Sequence, residues 1–174
     1  LKRTFRKIAW AALPLFIAFT AEGHTDQAEA LRAAKTLPEQ VRQADSRFKD
    51  VGVAVREGYT PIPCTSGVDG GAMGIHYVNG DLIKDEAVEI GKPEAVMYEP
   101  GPDGKLVLVA VEYITTKGPA NLGGQLFSLT GTPNRYGLPA FYELHVWAWK
   151  ANPKGVFADM NPTVSCEHAH DHHQ

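Results

Sequence analysis

The chain has 174 residues, with 17 Lys and Arg against 20 Asp and Glu, a formal net charge of −3 with histidine neutral. It is long enough for one domain with a real hydrophobic core. Its scattered basic residues on an acidic background exclude the basic stripe of a nucleic-acid binder and the cationic face of a protein held on an anionic membrane.

The first residues have the form of an export signal. Lys2, Arg3, Arg6 and Lys7 make a basic region, Ile8–Thr20 is apolar, and Ala21-Glu22-Gly23 offers small residues where a signal peptidase cuts. The apolar run is shorter than the roughly 20 residues of a membrane-spanning helix. Residues 1–23 are therefore expected to be a cleaved signal, leaving no stable membrane anchor and placing the protein in the periplasm or outside the cell. Cleavage lowers Lys and Arg from 17 to 13 and Asp and Glu from 20 to 19, giving net −6. It would also expose His24 as an amino-terminal copper chelator. Residues 24–166 form the expected globular domain and 167–174 a His-rich tail.

Thr25–Lys35 is polar and alanine-rich, suited to a short helix. Leu37–Glu57 predicts a longer one. Pro38 suits its first turn, and Val41, Ala44, Phe48, Val51 and Val55 make one apolar stripe that ends at the capping Gly58. Tyr59–Ala72 reads as an irregular loop. Gly74–Asn79 predicts a strand with His76 and Val78 on one face, and Ile75 and Tyr77 on the other. Leu82–Lys92 reads as a connection. Glu94–Glu99 and Lys105–Ile114 predict an antiparallel hairpin through Pro100-Gly101-Pro102-Asp103-Gly104. In its second arm Leu106, Leu108, Ala110, Glu112 and Ile114 alternate to one face, which puts Glu112 in an apolar row.

Thr115–Pro139 is a Gly-, Pro- and Asn-rich connection with strand character only at Gln125–Leu129, and loops this long are commonly functional. Ala140–Lys150, AFYELHVWAWK, predicts the central strand. Period two places Phe141, Glu143, His145, Trp147 and Trp149 on one face and Tyr142, Leu144, Val146 and Ala148 on the other. A carboxylate and an imidazole among large apolar neighbours must find partners, since an unpaired buried polar group costs about 1–3 kcal/mol. Asn152-Pro153-Lys154-Gly155 is a turn, and Val156–Met160 a short apolar piece. Cys64 and Cys166 are the two cysteines, and in an exported chain a single pair forms one disulfide.

The chemistry suggested is metal binding. His76 and His145, with Glu143 or Glu112, offer the mixed imidazole and carboxylate set that copper and zinc accept. The tail adds His168, His170, His172 and His173 as an accessory chelating tract. Trp147, Trp149 and Tyr77 are candidates for an aromatic pocket, with core packing as the competing role. Ser66, Ser128 and Ser165 lack the setting of a hydrolase nucleophile.

The combination MGIHYVN, YEPGPDGKLVLVAVEY and LHVWAWKANPKGVFADMNPTVSC resembles a group of small exported bacterial proteins of uncharacterised function, over roughly Phe48–Cys166. The resemblance implies a single secreted domain and a shared cysteine pair, and brings no activity, substrate or cofactor. The expected fold is α+β, an N-terminal helix on a mostly antiparallel sheet that could curl towards a barrel, with one disulfide. The expected function is an exported protein holding copper or zinc. A metal-free module binding a small ligand beneath the Thr115–Pro139 loop is the first alternative, favoured if the two histidine rings stand more than about 8 Å apart, given Zn–N bonds of about 2.0–2.1 Å. A metal-dependent enzyme is the second.

Overall fold

The computed structural model describes residues 35–67 and 70–169. The expected signal peptide, His24, most of the Thr25–Lys35 segment and the tail residues His170, His172 and His173 lie outside them. The architecture is α+β, an antiparallel sheet with short helices on one face and a Cys64–Cys166 disulfide.

The helix expected over Leu37–Glu57 is in three pieces: α1 (Leu37–Ala44), a 3-10 turn (Ser46–Lys49) and α2 (Val51–Arg56). Two aspartates make the breaks. Asp45 caps the end of α1 and is buried against Arg47 at 3.1 Å, and Asp50 restarts the helix by accepting the Gly52 N–H at 2.9 Å. At Asp50 the short acidic side chain competes for a backbone donor in this way. The apolar stripe is re-phased across the breaks. Leu37, Val41, Phe48 and Ala54 reach the core, while Val55 is left 56% exposed.

The strands are β1 (Thr60–Pro61), β2 (Thr65–Ser66), β3 (Ala72–Val78), β4 (Ala95–Pro100), β5 (Leu106–Thr115), β6 (Asn121–Leu122), β7 (Gln125–Leu126), β8 (Ser128–Thr130) and β9 (Phe141–Val146). The main sheet runs β1-β3-β4-β5-β9-β8, with β2 also on β3, and β6-β7 is a separate hairpin. Among the described residues β1 and β8 end the sheet without pairing to each other, so it is not closed and the barrel expectation is corrected. The region Leu82–Lys92, expected as a connection, begins inside α3 (Gly80–Asp85), which Asn79 caps by accepting the Asp81 and Leu82 N–H groups.

The two sheet faces carry separate cores. On the helix side Ile75, Tyr77, Val96, Tyr98, Val111, Tyr113, Leu144 and Val146 pack with Leu37, Val41 and Phe48. There the Tyr98 hydroxyl donates to the Phe48 carbonyl at 2.6 Å, and Tyr113 to that of Ile90 at 2.7 Å. The other face packs Met73, Met97, Val109, Ala110 and Trp147 under Val164. A bulge makes the two patterns compatible. Met97 opposes Ala110 and Tyr98 opposes Leu108, which leaves Val109 as an extra residue. Leu106 and Leu108 therefore cross to the helix side, and only Ala110, Glu112 and Ile114 keep the expected row. Close by, Gly74 has φ +94°, and a Cβ there would stand 2.4 Å from the Tyr98 carbonyl, so only glycine fits.

The central strand ends at Val146, four residues earlier than the alternation predicts. Trp147 stays on the second face, with its indole N–H donating to the Ala158 carbonyl at 2.6 Å. Trp149 turns to the helix-side core, and Tyr77 packs edge-on against Tyr98 there at 5.2 Å. Tyr77, Trp147 and Trp149 are thus divided between opposite faces and do not form one aromatic pocket.

The disulfide closes a separation of 102 residues, worth up to about 4.7 kcal/mol in the chain-entropy model, and it suits an oxidising compartment. Among the described residues no helix is long and apolar enough to cross a membrane.

Glu94 is fully buried just before β4. Its Oε2 accepts the Ile114 N–H at 2.8 Å, while Oε1 has no partner among the described residues. Burial pushes its carboxyl up from 4.5 to about 8. The folded state then holds a proton that the unfolded chain releases, so this contribution is complete below the unfolded value and is lost as pH rises through the folded one. A Glu94→Gln variant keeps the neutral form at every pH. Between pH 5 and 8 its stability relative to wild type is expected to rise by up to roughly 1.4 kcal/mol per pH unit. Urea unfolding at both pH values checks this, and an unchanged difference would contradict it.

Candidate metal centre

Four of the polar residues singled out from the sequence meet on the sheet face turned away from the helices. His76 comes from β3, Glu112 from β5, and Glu143 and His145 from β9. Glu112 is paired with Ala95 on one side and His145 on the other, and His76 is paired with Met97. Because Ala95 carries only a methyl group, His76 and Glu112 can approach across the intervening strand. All four side chains are at most 3% exposed.

His76 Nε2 stands 3.4 Å from Glu112 Oε2, and His145 Nε2 stands 3.6 Å from the same oxygen. The two ring centroids are 6.4 Å apart, inside the separation that would have favoured a metal-free module. A tetrahedral ion with bonds of about 2.0–2.1 Å holds its ligand atoms about 3.3–3.4 Å apart. His76 and His145 therefore each stand from Glu112 at a spacing close to that an ion imposes, and one ligand atom from each of the three residues lies within 4.8 Å of the others.

A second set of residues, absent from the expectations, surrounds them. Arg135 Nη2 donates to Glu112 Oε1 and to Glu143 Oε2, at 2.6 Å each, and stands 3.4 Å from His145 Nε2. The Tyr136 hydroxyl donates to Glu112 Oε2, and the Thr130 hydroxyl to Glu143 Oε1. His145 Nδ1 faces Asp159 Oδ1 at 3.3 Å, within ion-pair range but out of line for a hydrogen bond. Asn134 shapes the loop that delivers Arg135 and Tyr136. Its amide donates to the Gly131 and Leu138 carbonyls, and its oxygen accepts the Tyr136 and Leu138 N–H groups. Asp159 is brought in by the Val156–Met160 piece, which Trp147 holds through the Val156 and Ala158 carbonyls.

The electrostatics follow from burial and from these neighbours. Burial pushes Glu112 up to about 7 against the pull of His145 and Arg135. Burial would raise Glu143 as well, but contacts with Glu112, His145, Arg135 and Thr130 hold it at about 2. His76 is driven well below the usual histidine value, first by burial and then by the Arg135 and His145 charges. Burial would lower His145 too, yet Glu112, Asp159 and Glu143 outweigh it and raise the value. The surroundings thus favour the neutral form of the His76 ring and the protonated form of His145. Glu143 is engaged by Arg135 and Thr130 much as Glu112 is by Arg135 and Tyr136, and with His145 and Asp159 it forms a second group able to hold a cation.

His168, of the proposed tail ligands, is exposed near the end of the described chain and belongs to neither group. Compared with known proteins, the chain matches no family model, no curated protein and no solved structure.

Arg135 neutralises two buried carboxylates, so removing its charge leaves them unpaired. Arg135→Met is expected to cost about 3–5 kcal/mol in chemical unfolding. Adding Glu112→Gln and Glu143→Gln to that variant should recover most of the loss. An Arg135→Met protein as stable as wild type would show that the guanidinium does not hold this site together.

Proposed function

We propose that this protein is exported to the periplasm or beyond and binds one transition metal ion, copper or zinc, between His76, Glu112 and His145. The motif resemblance to small exported bacterial proteins and the Cys64–Cys166 disulfide support the export reading. The single observation that carries the metal reading is His76. Its ring has no exposed surface, and neither nitrogen makes a well-aligned hydrogen bond among the described residues, although Nε2 faces Glu112 at 3.4 Å and the Gly74 backbone lies close enough to the ring to favour its protonated form. Two unmet buried ring nitrogens are costly, and an ion on Nε2 would satisfy one of them. Asp159 places a carboxylate 3.3 Å from His145 Nδ1, on the side of the ring away from Glu112. In this reading Glu143 positions Arg135, and the tail histidines gather metal without belonging to the site.

The tail and the internal site are separable. In protein carrying His168→Gln, His170→Gln, His172→Gln and His173→Gln, purified without an affinity tag, zinc or copper titration should load about one equivalent per chain. Adding His76→Ala should lower that below a tenth of an equivalent, with a circular dichroism spectrum like that of the parent. Less than a tenth of an equivalent in the parent itself would end the proposal.

One observation favours a second reading, a metal-dependent enzyme. Three protein ligands leave a fourth tetrahedral position for water or substrate, and Arg135 and Tyr136, which wall the site, also line a cavity open to solvent.

A further inference from the structure

That cavity has a volume of about 320 Å³ and is bounded by Thr60, Ile62 and Val78 on the sheet edge, Ile83 and Lys84 on α3, and Arg135, Tyr136 and Leu138 on the loop. Its size is at the small end of ligand pockets, which are mostly apolar with a few polar groups that fix orientation. Here Ile62, Val78, Ile83, Leu138 and the Tyr136 ring make the apolar walls. The two charged residues lining it are both cations, and no carboxylate is among the lining residues.

Arg135 reaches the cavity lining with a side chain 15% exposed. Its Nη2 is engaged by Glu112 and Glu143, while its Nε is buried with no acceptor among the described residues. Among the described residues Lys84 pairs only with Asp81, at 3.0 Å on a side chain 77% exposed, and such surface pairs contribute little. A cavity with apolar walls, a guanidinium on its lining and an exposed ammonium is complementary to a small molecule with an anionic end. Charge-assisted hydrogen bonds from a guanidinium to a carboxylate are stronger than those to a neutral hydroxyl, and the fork matches a planar carboxylate.

We propose that this cavity binds a small organic acid, its carboxylate directed to Arg135 and Lys84 and its aliphatic or aromatic body lying against Ile62, Val78, Ile83 and Leu138. The inference rests on the cavity and on Arg135, and it holds whether or not the neighbouring histidines carry a metal.

Hexanoate, hexanol and hexylamine share one chain length and differ in head group, so they serve as probes. Calorimetric titration of the full chain after chelator treatment should show hexanoate binding roughly tenfold tighter than hexanol, with hexylamine weaker still. Lys84→Ala should weaken hexanoate several-fold and leave hexanol unchanged. Ile83→Trp fills the cavity from α3 and should abolish hexanoate binding. Thr60→Trp, from the opposite and exposed wall, should do the same if Ile83→Trp perturbs folding. Equal binding of the three probes, no hexanoate binding at 10-fold molar excess over millimolar protein, or hexanoate binding that survives both tryptophan variants would overturn the proposal. Because the protein is metal-free in this titration, loss of acid binding and loss of metal binding are separate results.

Discussion

Glu112 lies in β5, between β4 and β9, with no exposed surface. A carboxylate there is costly unless it is protonated or matched by charge and hydrogen bonds. The surroundings answer that demand. Arg135 takes one oxygen, Tyr136 and the two histidines face the other, and Glu143, itself bound by the Thr130 hydroxyl, takes a second bond from Arg135. The loop between β8 and β9 is held by this ion pair as much as by its own Asn134 contacts. The polar centre and the loop above it therefore form one unit.

The sheet separates stability from chemistry. Its helix-side face is a packed core in which buried tyrosine hydroxyls satisfy backbone carbonyls of the helical segment and of the stretch before β4. The opposite face gathers titratable groups at one end and a smaller apolar cluster at the other. The bulge at Val109 marks the change. The extra residue offers its carbonyl to the Trp149 and Lys150 N–H groups, which anchors the chain where β9 ends. The disulfide ties the C-terminal segment, whose Val164 covers the apolar cluster, back to the loop before β3.

Much of this was legible from alternation. Period two placed His76, Glu112, Glu143 and His145 on faces that turned out to be one face, because three antiparallel pairings preserve the phase between them. The same rule failed for Leu106 and Leu108, which lie beyond a bulge that no residue type announces, and for Trp149, which lies past the end of its strand. Arg135, Tyr136 and Asp159 were not legible, since loops carry no period and their reach depends on the tertiary fold. The available signal for Arg135 was indirect: two buried carboxylates needed a cation, and the long Thr115–Pro139 connection carried an arginine. The helix breaks at Asp45 and Asp50 were visible as residues but were outweighed by an apolar spacing that also fits one unbroken helix.

The central claim is that His76 and His145 meet at one ion beside Glu112. Anomalous diffraction at the zinc or copper edge, on crystals of metal-soaked protein lacking the tail histidines, tests it most directly. The expected result is one strong peak within about 2.0–2.1 Å of an Nε2 on each ring, with Glu112 within reach. A peak elsewhere, or none while ordered water fills the space between the rings, would contradict the account and leave Glu112 and its partners as a buried ion-pair network.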